Sequence, residues 1–183
     1  MTYNTLYLLI GGNQGDRAAL LQQATDLIQL NIGSVAHFSS IYETQPWGTF
    51  APGEKPQNFY NQALEIHTLL SPLQVLEQSQ AIEKKLGRQR LGASGIEVPD
   101  DVLKQQGKLY ASRPIDIDLI FYNDEIINNP PDLILPHPRA HLRAFVLKPL
   151  CDIAADFIHP LFQCSLNQLL LQCPDSLPCL PLC

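Results

Sequence analysis

The residue types best placed to do chemistry are two aspartates and a group of arginines around them. In Arg113-Pro-Ile-Asp116-Ile-Asp118-Leu-Ile-Phe121 the alternation predicts a strand over 115–122. Asp116 and Asp118 then share one face, with Cα atoms roughly 6–7 Å apart, while Ile115, Ile117, Leu119 and Phe121 turn into a core. Like charges side by side on a sheet repel unless something cationic lies between them. A hard divalent ion such as Mg²⁺ meets that need and commonly completes its shell with phosphate oxygens and water. The alternative for the same pair is the solvated outer face of an edge strand. Arg88 and Arg90 follow a helix that ends at Gly87, and Arg113 stands three residues before Asp116. Carboxylates with planar guanidiniums nearby suit phosphoryl transfer, although each arginine taken alone also fits a surface salt bridge.

Two further groups add to this. Pro136-His137-Pro138-Arg139 reads as a rigid turn entering a helix, with Arg143 one turn further on. His137 and His141 are four apart, but Pro138 stands where a zinc-protease helix needs Glu, so zinc is not expected. A histidine donating to phosphate is one reading, and a packed or solvated histidine is the other and the commoner one. Thr44-Gln45-Pro46-Trp47-Gly48 and Phe59-Tyr60-Asn61 hold aromatics and an amide able to sandwich and read a flat heterocycle, though such aromatics also serve as core. Familiar nucleotide signatures are missing. Gly11-Gly12-Asn13-Gln14-Gly15 lacks the glycine spacing of a dinucleotide turn, and Val102 precedes Gly107-Lys108 where a P-loop needs glycine.

Positioning these residues requires a mixed set of elements. Residues 5–11 read as a buried first strand, followed by a helix from N-cap Asp16 to about Asn31 with Gly33 past its end. Strands are predicted over 34–44 and 59–69, separated by a loop at 45–57. Ser71, Pro72 and Gln74 open a second helix as a capping box. Residues 91–109 read as a polar loop or flap, 130–138 as extended, 139–150 as helical, and Ser165 with Gln168 as the start of a last short helix. Irregular alternation without an internal repeat favours α+β over a doubly wound sheet. The expected organisation is one domain over 1–175, with the flap or insertion at about 91–112, and a Pro/Cys-rich tail at 176–183.

Composition narrows the function classes. With 18 acidic and 12 basic residues the net charge is −6, which argues against a coat for nucleic acid or an anionic membrane. The apolar run Leu6–Ile10 is too short for a membrane span, and no charged leader precedes it. The five cysteines, at 151, 164, 173, 179 and 183, form no Cys-x-x-Cys pair and read as reduced. A cytoplasmic monomer acting on small molecules is expected.

Taken in order, the motifs resemble the 6-hydroxymethyl-7,8-dihydropterin pyrophosphokinase (HPPK) family of folate biosynthesis. The resemblance runs from Tyr7 to about Leu150: Ile10-Gly-Gly-Asn13, Ser39–Tyr42 with Thr44–Gly48, Asn61, Gln80–Glu83 with Gly87-Arg88, Arg113–Asp118, Pro136–Arg139, and Arg143–Leu150. It implies a ferredoxin-like α+β fold, with a mainly antiparallel sheet flanked by helices. It also implies transfer of the terminal pyrophosphate of ATP to the pterin's hydroxymethyl group, releasing AMP. By the resemblance, Asp116 and Asp118 hold two Mg²⁺ ions, and Arg88 and Arg113 stabilise charge on the moving group, Arg113 from a mobile flap. His137 and Arg143 contact phosphates, and Gln80 and Glu83 lie on the ATP side. Thr44, Gln45, Pro46, Trp47, Phe59, Asn61, Asp116 and Phe145 form the pterin side, with Tyr110 as a further flap aromatic. The insertion around Gly95–Gly107, Tyr110 in place of tryptophan, Asp132 near a position basic in some members, and the cysteine-rich tail depart from compact members. Rival readings are another Asp-x-Asp metal enzyme, such as a nucleotidyl- or glycosyltransferase, and a non-enzymatic ferredoxin-like module that binds small ligands for regulation.

Overall fold

A computed structural model describes residues 2–46, 55–88, 112–130 and 132–182. Strand β1 (Asn4–Gly12) runs through the middle of the molecule, and its side chains serve two layers. Leu6, Leu8 and Ile10 face one way, Tyr7 and Leu9 the other, and all five are buried. That alternation requires cover on both faces. On the first face lie α1 (Arg17–Asn31) and α2 (Pro72–Lys85), which bury Leu21, Ala24, Ile28, Val75 and Ile82. The second face is closed by α3 (Ala144–Ala154) and α4 (Leu166–Leu171), with Val146, Leu147, Leu150, Leu166 and Leu169.

The other strands are β2 (Gly33–Phe38), β3 (Tyr42–Thr44), β4 (Phe59–Thr68), β5 (Asp116–Tyr122), β6 (Ile127–Asn129), β7 (Leu133–Leu135) and β8 (Cys179–Pro181). The main sheet has the order β5-β1-β4-β3-β8, with β2 also on β4, and its pairings are antiparallel. Its frame β1-α1-β2-β4-α2-β5, spatially β5-β1-β4-β2, is ferredoxin-like. Helix starts follow their sequence signals. Asp16 accepts from Ala19 N at 3.1 Å, and Ser71 with Gln74 and Ser165 with Gln168 form reciprocal capping boxes.

Three expectations are corrected, and two further segments are placed. The strand over 34–44 is two strands: Ser39 Oγ accepts from Ala63 N at 2.9 Å, and the chain breaks there before β3 re-pairs with β4. In β5, Phe121 does not follow Ile115, Ile117 and Leu119. The pairing slips by one residue between Leu119 and Phe121, so Ile120 is extra and Phe121 packs on the α3–α4 side. The extended stretch 130–138 contains β7, which pairs with β6. The helix over 139–150 is a 3₁₀ turn at Ala140–Leu142, an extended Arg143 (φ −130°, ψ 113°), and then α3, which reaches Ala154. The Pro/Cys-rich tail joins the sheet: β8 pairs with β3, and Cys179 is buried.

Candidate active site

The site is built on one row across three strands. Asp116 of β5 and Asn61 of β4 both lie opposite Gly11 of β1, so the three residues share a face. A Cβ on Gly11 would come within 2.4 Å of Asn61 Oδ1 and 2.9 Å of Tyr60 O. Glycine therefore leaves the lane between the carboxylate and the amide to the Asn61 side chain. Asn61 is buried and donates through Nδ2 to Thr44 Oγ1 at 2.9 Å, which fixes its orientation. Asp118 lies one step down the same face, opposite Leu9. This is the same-face pair expected from the alternation, on an edge strand as the alternative supposed, but half-buried rather than solvated.

Arginines converge on Asp116. Arg88, buried beyond the end of α2, bridges Asp116 Oδ1 and Glu83 Oε1, and Arg113 donates to Asp116 Oδ2 at 2.7 Å. Glu83 Oε1 also accepts from Ile117 N at 2.8 Å, which ties α2 to β5 under the cluster. The two carboxylates differ in proton affinity as a result. Burial disfavours ionisation of Asp116, yet the charges of Arg113 and Arg88 outweigh it and hold the group well below the usual carboxylate range. Asp118 is raised to about 6 by burial and by the charge of Asp116, against weaker opposition from Arg143, Arg113 and Arg88.

Arg143 is buried at the N-terminus of α3, its guanidinium carbon 5.5 Å from the Phe145 ring centre. His137 is half-buried on the preceding turn; its backbone N–H donates to Ile120 O at 3.0 Å and its Nδ1 accepts from Arg139 N at 3.2 Å. Phe59 stands opposite Thr44 across β4 and β3, while Gln45 is exposed and Pro46 half-buried at the end of the described segment. Gln80 is exposed on α2 and Glu83 buried beneath it, so only Glu83 joins the charged cluster. Trp47, Arg90, Tyr110 and the rest of the expected flap from 91 to 111 lie outside the described residues.

One residue stood in the Ile10-Gly-Gly-Asn13 motif without a role of its own. Asn13 is buried; its Oδ1 accepts from Arg113 N at 2.8 Å, and its Nδ2 donates to Ser112 Oγ at 3.1 Å and Gln57 O at 3.2 Å. It thus joins β1, the segment before β4 and the segment carrying Arg113. A Cβ on Gly12 would meet Pro114 O at 2.1 Å, so the two chains approach this closely only at glycine. An amide directly after a glycine pair at a strand end was the available signal.

The donor set suits a hard cation. Asp118 stays under-neutralised although three guanidiniums act on it, and both aspartates offer oxygen only. Among the described residues no cluster of three His, Cys, Asp or Glu is placed to hold a metal. Two carboxylates with phosphate filling the remaining positions fit Mg²⁺ better than a closed all-protein site.

The family model for 7,8-dihydro-6-hydroxymethylpterin-pyrophosphokinase (HPPK) matches residues 7–155. The chain belongs to the HPPK family. An HPPK relative from Porphyromonas gingivalis, 2-amino-4-hydroxy-6-hydroxymethyldihydropteridine pyrophosphokinase, is 37% identical over 155 residues, covering 85% of this chain and 93% of the relative. The protein of the same name from Bacillus subtilis is 39% identical over 151 residues, covering 82% and 78%. Among solved structures, wild-type Plasmodium falciparum HPPK-DHPS with pteroate superposes with a TM-score of 0.69 at 16% identity, over 93% of this chain and 44% of that one. An HPPK-DHPS in complex with substrates gives 0.67 at 14%, over 94% and 43%. At such identities the likeness is one of HPPK fold, and the chain spans less than half the length of those solved chains.

Proposed function

We infer that this chain transfers the terminal pyrophosphate of ATP to the hydroxymethyl group of 6-hydroxymethyl-7,8-dihydropterin, giving the pterin diphosphate and AMP in folate biosynthesis. The observation that carries the reading is the row Asp116–Gly11–Asn61, with two arginines on Asp116, inside the matched segment. In the reaction the substrate hydroxyl oxygen bonds to the β-phosphorus, the bond from that phosphorus to the oxygen bridging the α-phosphorus breaks, and the hydroxyl proton is lost. Little covalent work falls to the protein, so positioning and fixed charge dominate.

Placement supports a role for each residue. The carboxylates of Asp116 and Asp118 would hold Mg²⁺, two ions by the family resemblance, whose charge offsets that of the ATP phosphates. Arg88 and Arg113 move their donors from Asp116 to the pyrophosphoryl oxygens as charge develops there. Arg143 and His137 bind phosphate, with Glu83 holding Arg88 and Gln80 on the exposed ATP side. Asn61, oriented by Thr44, reads the pterin edge beside Asp116. Phe145, Phe59, Gln45 and Pro46 contact the pterin, and by the family resemblance Trp47 does so as well. The enzyme is taken as a cytoplasmic monomer acting on small molecules, with neither nucleic acid nor membrane as partner; a single 20.4 kDa species in sedimentation equilibrium checks the monomer. Among the described residues no helix is long and apolar enough to cross a membrane.

The deciding assay mixes protein, Mg-ATP and the hydroxymethyl pterin and separates the nucleotide products. AMP formed only in the presence of pterin is expected. ADP as product, or no turnover, would overturn the reading.

A further inference from the structure

Helices α1, α2 and α4 each receive their first acceptor from the residue immediately before them, Asp16, Ser71 and Ser165. Helix α3 does not. Its preceding residue is Arg143, which makes no side-chain cap, and its first N–H, on Ala144, donates instead to Asp175 Oδ2 at 2.9 Å, across 31 residues. The other oxygen, Asp175 Oδ1, accepts from Leu177 N at 3.1 Å and turns the chain toward β8. β8 then pairs residue for residue with Tyr42–Thr44, Cys179 standing opposite Thr44, and Lys148 Nζ of α3 donates to Cys179 O at 3.0 Å.

Two parts of the candidate site meet in this arrangement. Arg143 leads directly into the first turn of α3, which carries Phe145, and β3 carries Thr44, the partner of Asn61. A carboxylate at a helix N-terminus also satisfies an orphan donor and complements the helix dipole. We propose that Asp175 is a positioning residue for substrate binding: one carboxylate locks the first turn of α3 to the strand beside Thr44 and so holds Arg143 and Phe145 in place. The brace lies beyond residues 7–155, so it is supplied by chain outside the family match. It rests on the assignment of Arg143 and Phe145 to substrate binding.

The test uses the full chain with Asp175→Ala, Asp175→Asn and, as a control in the α2 layer, Val75→Ala. Pterin and ATP KM, kcat and amide hydrogen exchange in the first turn of α3 are measured. Asp175→Ala is expected to speed exchange there and to raise pterin KM about fivefold to tenfold, with a smaller change in kcat. Asp175→Asn keeps an acceptor oxygen and should recover at least half of that loss. Val75→Ala should lower the melting temperature and leave KM unchanged. Unchanged KM or unchanged exchange in Asp175→Ala overturns the brace, as does an equal KM rise in Val75→Ala. Arg143→Ala and Phe145→Ala run in the same assay separate the two ideas. If neither raises KM, the site assignment fails and the brace with it; if either does and Asp175→Ala does not, only the brace fails.

Discussion

Asp116 and Asp118 are two residues apart and chemically identical, yet their proton affinities are shifted in opposite directions. Arg113 and Arg88 keep the first ionised, while burial and the charge of the first raise the second to about 6. A carboxyl raised in the folded state binds its proton more tightly there than in the unfolded chain. Its burden on the fold is therefore full above pH about 6 and is relieved as pH falls from there toward 3.8. Asp118→Asn should accordingly melt no lower than the parent at pH 8, yet lose turnover by about 100-fold or more. Thermal melts and the AMP assay check the two halves separately. A variant keeping most of its rate would remove Asp118 from the mechanism. The aspartate pair was legible because strand alternation alone sets its face. The bond from Arg88 to Glu83 and onward to Asp116 was not, since the arginine and aspartate are 28 residues apart and only the docking of α2 on β5 joins them.

Elements were legible where a local signal decided them and obscure where tertiary pairing did. Both capping boxes appear in the structure because the interacting groups are three residues apart. The break between β2 and β3 and the extra residue in β5 depend on what the neighbouring strand accepts, which no local pattern reports. Helix α3 starts later than predicted because Arg143 is extended and the helix takes its acceptor from Asp175. At this scale Gly11 makes the sharpest prediction. Gly11→Ala places a methyl against Asn61 Oδ1 and Tyr60 O, and the backbone oxygen cannot swing aside. We expect a loss of about 1–3 kcal/mol in chemical denaturation and a raised pterin KM from a displaced Asn61. Unchanged stability and KM would mean that the lane tolerates a side chain.

For the whole molecule, a net charge of −6 first argued against polyanionic ligands. Five of six arginines fall between residues 88 and 143 together with eight acidic residues, so the guanidiniums matter by aim and not by excess. Global stability should respond to pH through a buried group outside that segment of the chain. His159 is buried against Phe121 and Phe162, its Nδ1 accepting from Leu161 N at 3.2 Å, and burial with nearby His141 lowers its pKa from 6.5 to about 4. A base depressed in the fold is bound there neutral, so its contribution is complete above pH 6.5 and is lost as pH falls toward 4. His159→Asn keeps an acceptor without that titration, and its denaturation midpoint should fall less steeply with acid than the parent's over this window. Equal slopes would place the pH dependence elsewhere.

The short strand β8 has a further effect, on the protein in company with its own copies. An unpaired strand edge is a template for another chain, and a three-residue strand ending in a proline, which cannot donate, is a poor one. β8 occupies the side of β3 that would otherwise be open and replaces it with such an edge. Chains lacking residues 176–183 should therefore associate as their concentration rises, seen as early elution in size-exclusion chromatography. At this end of the sheet, a short strand closed by a proline does the work that charge does on other edges.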